Sequence, residues 1–425
     1  MRFYIFSIIM ILILPVANGQ DPQKTDSSRI DLLIKKIEAL EKVVSEKQKE
    51  DELKKLLDEA DQLSNRTKSS EVDISKKFTS GIRQQQGLNP NISVLGDFFG
   101  AVSNINDPQT TEPGDRTHGS NGLYMRSLEL SFVAPLDPYA RGKAFMDITE
   151  DGVSIEELYL ELINLPLNMS IKGGVFFPEF GLLNRHHTHA LPQFDRPRAS
   201  VNYFGLDGFN GMGISLNFLL PTLLFSDASS LDIATVNIFD NYSYYSDKSV
   251  NLAYVGHFKN YYDLSDAAYL EYTLSAMAGR NDLIDDNNTY TGSFGLHYKW
   301  QPPERAKYKS LDIKAELLYG YTETDEGIVR SKGFYSLFHR KLNTRLWVGG
   351  RVGYSEIPVD NSQYEWDYTF NIDFWQSEFV FYRLQYQYND RNISSLPENG
   401  EVYRSNHTLV FQFSWAMGPH KHDAY

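Results

Sequence analysis

From Asn91 onward the chain alternates apolar and polar residues with a period of two. Between Glu365 and Phe374, one face of an extended chain carries Trp366, Tyr368, Phe370, Ile372 and Phe374. The other carries Glu365, Asp367, Thr369, Asn371 and Asp373. The next run sets Val380, Tyr382, Leu384, Tyr386 and Tyr388 against Phe379, Phe381, Arg383, Gln385 and Gln387. Strict alternation marks strands with two different faces. A charged face backed by an aromatic one fits water inside and lipid outside a barrel. Runs of this kind centre on Ser93, Leu128, Phe145, Leu160, Ile171, Ser215, Thr235, Tyr254, Leu274, Gly295, Glu316, Ser336, Val348, Phe370, Leu384 and Phe411. They predict an all-β fold, a transmembrane antiparallel β-barrel of about 16 strands. Each run is about ten residues, the length a tilted strand needs to cross a bilayer.

The connections alternate as such barrels require, short turns at one end and longer loops at the other. Pro135–Pro138, the region of Pro166, Leu342–Asn343 and Gln376–Ser377 are short. Gly100–Gly122, Asn281–Asn288, Glu356–Gln363 and Asn389–Arg404 are long and polar. Pro221–Ser230 breaks the rule: it falls at the short end and is longer than a turn. Strands 5 and 6 are joined by an irregular stretch with its own character. Gly173–Gly211 reads GGVFFPEFGLLNRHHTHALPQFDRPRASVNYFGLDGFNG and holds three histidines, three arginines and three prolines. A long loop of distinctive composition points to function.

The N-terminal part follows a different period. Residues 1–19 have the form of a signal peptide: Arg2, an apolar run Phe3–Val16, and small Ala17 and Gly19 before the cleavage position. In 28–66, Ile30, Leu33, Ile37, Leu40 and Val44 recur at 3,4 spacing. Lys47 and Asp51 break the seam, and Leu53, Leu56, Ala60 and Leu63 resume it. This predicts an N-terminal α-helical coiled coil on the periplasmic side. A polar linker (67–89) leads to the barrel (90–425).

Composition narrows the function classes. The 425 residues contain no cysteine, which excludes a disulfide scaffold, a cysteine metal site, a thiol nucleophile and a lipid-anchored cysteine. A formal net charge of -14 argues against nucleic acid as a partner. Aromatic residues make up 14%, yet mean hydropathy is -0.40, as alternating strands give and apolar helices do not. No G-x-S-x-G elbow, zincin helix or phosphate loop is present, so the chain is not expected to be an enzyme.

The stretches GLYMRSLELSFVAPLDPYARGKAFMDITED (Gly122–Asp151) and IEELYLEL followed by IKGGVFFPEFG resemble the early strands of phosphate-selective porins. FGLLNRHHTHALPQFDRP and the GPH-x-H tail at Gly418–His422 are similar to a set of uncharacterised Gram-negative outer-membrane barrels. The resemblance implies residence in the outer membrane of a Gram-negative bacterium, among its lipid. It also implies a third loop (177–210) folded into the barrel as a constriction, passage of small hydrophilic solutes or ions, and assembly as a homotrimer.

Two kinds of candidate chemistry remain. His186, His187 and His189 could converge on a metal, with Zn suited to imidazole and Asp195 or Glu179 as oxygen donors; His420, His422 and Asp423 add a second group in the tail. No other cofactor is expected. Arg185, Arg196 and Arg198 in the loop, and Arg141, Lys143, Arg345, Arg351 and Arg383 on strand faces, are pore-lining candidates. They face acids including Glu129, Asp147, Glu161, Asp312, Glu316, Glu365, Asp367 and Asp373. Rings of charge set pore selectivity, whereas salt bridges only stiffen the wall. Passive diffusion with the loop as filter is the expected function. A metal-binding or metal-uptake barrel and a structural envelope barrel tethered by its helix are the alternatives.

Overall fold

The computed structural model describes residues 90–104, 121–149, 152–238, 241, 243–246, 250–281, 287–392 and 405–418. The expected signal peptide, coiled coil, linker and tail histidines lie outside the described residues. Sixteen strands form a closed barrel in which each pairs antiparallel with its sequence neighbours. They are β1 (Asn91–Ser103), β2 (Gly122–Asp137), β3 (Ala140–Thr149), β4 (Gly152–Leu165), β5 (Met169–Phe176), β6 (Gly211–Leu220), β7 (Ala228–Ile238) and β8 (Leu252–Ser265). The second half comprises β9 (Ala268–Arg280), β10 (Asn288–Trp300), β11 (Ser310–Thr324), β12 (Gly327–Lys341), β13 (Leu346–Ile357), β14 (Asp360–Trp375), β15 (Val380–Asn392) and β16 (Ser405–Met417). Every run expected from the alternation contains a strand. β1 closes on β16, from Val94 opposite Met417 to Ser103 opposite Thr408, so no strand edge is left unpaired.

The alternation has the physical meaning the sequence implied. On β14, Glu365, Asp367, Thr369, Asn371 and Asp373 are buried inside, while Tyr368, Phe370, Ile372 and Phe374 are exposed outside. Neighbouring strands continue the apolar exterior, with Tyr368 opposite Tyr388 and Ile372 opposite Leu384.

Two bulges interrupt the period where it matters. Between β1 and β2 the register jumps from Asp97–Ser127 to Phe98–Met125, leaving Arg126 as the extra residue. Between β3 and β4 it jumps from Phe145–Glu157 to Met146–Ile155, leaving Glu156 as the extra residue. A bulge re-aims the side chain of its extra residue. Arg126 thereby reaches the inner residue Asp97, at 2.8 Å from Oδ2. Glu156 turns inward beside Glu157.

One connection differs from expectation, and the exception after β6 finds its anchors. Glu356–Gln363 is not a long loop: β13 runs through Ile357 and β14 starts at Asp360. Its polar residues serve the turn. Asp360 accepts hydrogen bonds from Ser362 N (3.0 Å), Ser362 Oγ (2.7 Å) and Gln363 Nε2 (2.7 Å). The long link after β6 is tied down. Ser229 Oγ bonds Leu223 N (3.2 Å) and Ser226 Oγ (2.8 Å), and Asp227 accepts from Asp263 N (2.7 Å) on β8. Its extra length is anchored to the neighbouring strand.

Substituting Leu384, an outward residue near the middle of β15, with arginine is expected to cost about 2–4 kcal/mol, the penalty for a cation facing the bilayer midplane. Leu384→Phe should cost far less. Chemical unfolding of lipid-reconstituted protein, followed by tryptophan fluorescence, checks both.

Candidate functional site

The stretch 177–210 between β5 and β6 enters the barrel and is fastened to the inner wall along its length. Its first turn is internally braced: Asn184 Nδ2 donates to Pro178 O (2.9 Å) and Phe209 O (3.1 Å), and Asn184 Oδ1 accepts from Phe209 N (3.0 Å). One side chain therefore ties the two ends of the loop together. Gly181 N donates to Ser275 Oγ of β9 (2.9 Å), and Leu182 N to Glu316 Oε2 of β11 (3.1 Å). Gly181 sits at φ 58°, and a Cβ there would run into the Glu316 carboxylate. Glu316 also accepts hydrogen bonds from Ser293 Oγ and Tyr335 Oη.

The middle of the loop meets the charged faces of β13, β14 and β15. Arg351 lies between two carboxylates, 2.7 Å from Asp367 Oδ2 and 3.2 Å from both oxygens of Asp195. Asp195 also accepts from Gln385 (2.9 Å) and Gln387 (3.0 Å). Arg383 pairs with Asp373 (2.9 Å) and donates to Leu191 O (3.2 Å). Phe194 packs against Phe99, with ring centroids 4.9 Å apart, and Arg126 stacks over its face at 4.1 Å. A short helix, α1 (Arg198–Phe204), follows. Arg198 pairs with Glu365 (3.0 Å), which Arg391 grips from the other side (2.8 Å). Tyr203, Phe204 and Phe209 join inward Ala234, Val236, Ile238, Ala253, Val255 and Leu337 in an apolar core. Burying each large side chain there contributes about 1.5–3 kcal/mol.

This arrangement places several of the expected pore-lining residues in buried contacts. Arg196 and Arg198 are each 2% exposed and act as fasteners. Arg196 donates to Leu183 O (2.7 Å) and His186 O (2.5 Å), within the loop itself. Arg351, Arg383, Glu365, Asp367 and Asp373 are likewise buried in ion pairs, because the loop covers the wall that carries them. Arg345 is not on a strand at all; it is exposed in the turn before β13.

Arg141, Lys143 and Arg185 do face open space. With the loop packed against one side, a cavity of about 430 Å³ remains against β2–β7. Basic Arg141, Lys143, Lys172 and Arg185 line it together with acidic Glu129, Glu157, Glu161, Glu179 and Asp232. Arg141 pairs with Glu161 and Arg185 with Glu179, each at 2.6 Å. Lys143 and Lys172 both approach the ring of Tyr159, at 5.6 and 4.8 Å. Burial pushes the Glu179 carboxyl up, but the Arg185 guanidinium outweighs it and holds it down to about 2.

The histidines sit at the edge of this cavity and divide. Burial, reinforced by nearby Lys314, Arg185 and Arg196, holds His186 well below its ordinary pKa. His187 Nδ1 lies 3.1 Å from Glu129 Oε2 and 2.7 Å from Glu156 Oε2; its Nε2 lies 3.3 Å from Glu157 Oε2. His189 Nδ1 lies 3.3 Å from the same Glu129 oxygen. Burial pushes the His187 imidazole down, yet Glu156 and the hydrogen bonds it donates to carboxylates raise it well above its ordinary range. Glu129, His187 and His189 place one ligand atom each within 4.8 Å of one another. His186 is outside that set. The oxygen donors expected from the sequence are committed elsewhere, Asp195 to Arg351 and Glu179 to Arg185. Glu156 escaped the sequence reading because strict alternation puts it on the outer face; only the bulge brings it in. Lys172 and Asp232 were legible as inward positions but were not singled out.

Sixteen antiparallel strands, closed on themselves around an inward-folded loop, define a porin-type β-barrel. No protein-family model matches the chain. It is 26% identical over 397 residues to an uncharacterized protein of Aquifex aeolicus (strain VF5), covering 79% of this chain and 80% of that one. Among solved structures it is similar to OprB of Pseudomonas putida, with TM-score 0.53, 10% identity and coverage of 78% of this chain and 94% of that one. It is also similar to the outer membrane channel DcaP of Acinetobacter baumannii, with TM-score 0.51, 12% identity and coverage of 79% and 99%. These likenesses establish the fold.

Replacing Arg351 by Leu strands Asp195 and Asp367, and losing one member of a buried ion pair is expected to cost about 3–5 kcal/mol. Limited proteolysis should then cut within 177–210 while the barrel stays intact. The Arg185–Glu179 pair carries a pH signature. A depressed carboxyl contributes stability that is fully present above its unfolded value, near 4.5, and lost as pH falls through its folded value of about 2. The thermal stability gap between wild type and Glu179→Gln should therefore be constant from pH 7 to roughly pH 5 and close progressively below that.

Proposed function

We propose that this protein is an outer-membrane porin for passive diffusion of small hydrophilic solutes or ions, with 177–210 as its filter. The observation that carries the reading is the cavity left between the loop and β2–β7. Elsewhere the loop sets packed apolar and ion-paired side chains against the inner wall. A solute crossing the barrel is therefore directed along Arg141, Lys143, Lys172 and Arg185 on one hand and Glu157, Glu161 and Asp232 on the other. Both signs at close quarters favour polar solutes over apolar ones, since a polar molecule exchanges water contacts for contacts with the wall. The lipid-suited exterior and closed hydrogen bonding support a place in the outer membrane. Assembly as a homotrimer belongs to the same reading and is checked by cross-linking in native membranes.

Single-channel recording in planar bilayers tests the proposal. Wild type should conduct, and Arg141→Gln/Lys143→Gln/Lys172→Gln should shift the reversal potential toward cation selectivity. Arg196→Gln/Arg198→Gln should lower stability without that shift, because neither side chain faces the cavity. A folded, reconstituted barrel that never conducts would select the structural role instead.

A further inference from the structure

The cluster at the cavity edge is built differently from the ion pairs elsewhere in the barrel. Those pairs set a guanidinium against carboxylates, or a single imidazole against a single carboxylate, as in His297–Asp312 and His339–Asp373. Here carboxylates from two strands converge on imidazoles from the loop. Glu129 comes from β2, Glu156 and Glu157 from β4, and His187 and His189 from the loop. Asp147, directly opposite Glu129 in the β2–β3 register, adds a carboxylate whose buried Oδ1 has no hydrogen-bond partner.

A protonated His187 accounts for only part of this geometry. His187 Nδ1 carries at most one proton but faces two carboxylate oxygens, at 3.1 and 2.7 Å. A cation seated among these atoms meets all of them. Donors about 2.0–2.1 Å from a tetrahedral metal stand roughly 3.3 Å from one another. The Glu129 oxygen lies 3.1 Å from His187 Nδ1 and 3.3 Å from His189 Nδ1, the spacing such a pair of ligands would have. The far side of the His187 ring adds a second, independent feature. Its Nε2 lies 3.3 Å from Glu157, the carboxylate partner that typically orients a ligating imidazole through its other nitrogen. The bulge that turns Glu156 inward breaks the lipid-facing alternation of β4 at this point.

We propose that Glu129, His187 and His189 hold a divalent transition-metal cation of the zinc class, with Glu156 as a further oxygen donor and Glu157 steadying the His187 ring. Two imidazoles with carboxylate oxygen suit Zn²⁺ and its neighbours over Mg²⁺ or Ca²⁺, which take oxygen alone. The ion would join the loop to β2 and β4, at a part of the wall distinct from the Arg351 and Arg198 pairs on β13 and β14. The site stands on its own geometry and does not require the barrel to conduct.

The test is calorimetric titration of ZnCl₂ into folded, chelator-stripped full-length protein carrying H420A/H422A, so that the tail histidines contribute nothing. One binding event per chain is expected, weakened at least tenfold by E129Q and by H187Q/H189Q, with heat-modified gel migration showing that each barrel is folded. Should those variants misfold, Co²⁺ titration of the H420A/H422A protein decides, since an intense tetrahedral ligand-field band is expected in the visible spectrum. No Zn²⁺ binding by that protein, undiminished binding in either folded variant, or an octahedral Co²⁺ spectrum overturns the proposal.

Discussion

In hydrocarbon no water is available to an unpaired backbone N–H or C=O, so a membrane-crossing sheet must close on itself. The pairing of β1 with β16 meets that condition, and most of the molecule follows from it. Closure divides every strand into an outer face that lipid must tolerate and an inner face that it never meets. Charged residues become admissible on the inner face alone. This is why Glu365, Asp367 and Asp373 alternate with Tyr368, Phe370 and Ile372 along one strand.

An inner face rich in charge creates a second problem once a loop covers it. Each buried ion loses its hydration, and several kcal/mol per ion must be offset by partners. The loop supplies them. Asp195 meets Arg351, Arg198 meets Glu365, and the carbonyls of Leu191 and Phe194 meet Arg383 and Arg126. Charges of the inner face are used to locate the loop. Toward β7–β12 the same loop is held by apolar packing around Tyr203 and Phe204. The unfilled remainder lies against β2–β7, where the wall keeps its charges facing the cavity.

Much of the fold was legible because its signal is periodic. Each of the sixteen expected runs contains a strand, and the inward and outward sets of β14 and β15 match except at Phe379, which is exposed in the turn before β15. Connections were less legible. Asp360 and Ser362 look like loop residues but are the hydrogen-bonding groups of a tight turn. Residue type alone does not separate a polar turn from a polar loop. The site was legible only in part. His187 and His189 stood out in the sequence, but their oxygen partners come from β2 and β4, more than twenty residues away in the chain. One of them, Glu156, sits on the wrong face under strict alternation.

Alternation of side-chain character along Asn91–Met417 determined the strands, their facing and the closed barrel, because a period of two has one meaning when one face is lipid-like and the other ionic. Only the tertiary structure decided which inward charges face space and which are locked away. That outcome depends on where a single loop lies. Arg196 and Arg198 have the same composition and neighbourhood in sequence as Arg185, yet two are buried as fasteners and one lines the cavity. Arg198 is buried by long-range pairing with Glu365, and Arg196 by the loop folding back so that Leu183 O and His186 O meet its guanidinium, contacts that no local pattern encodes.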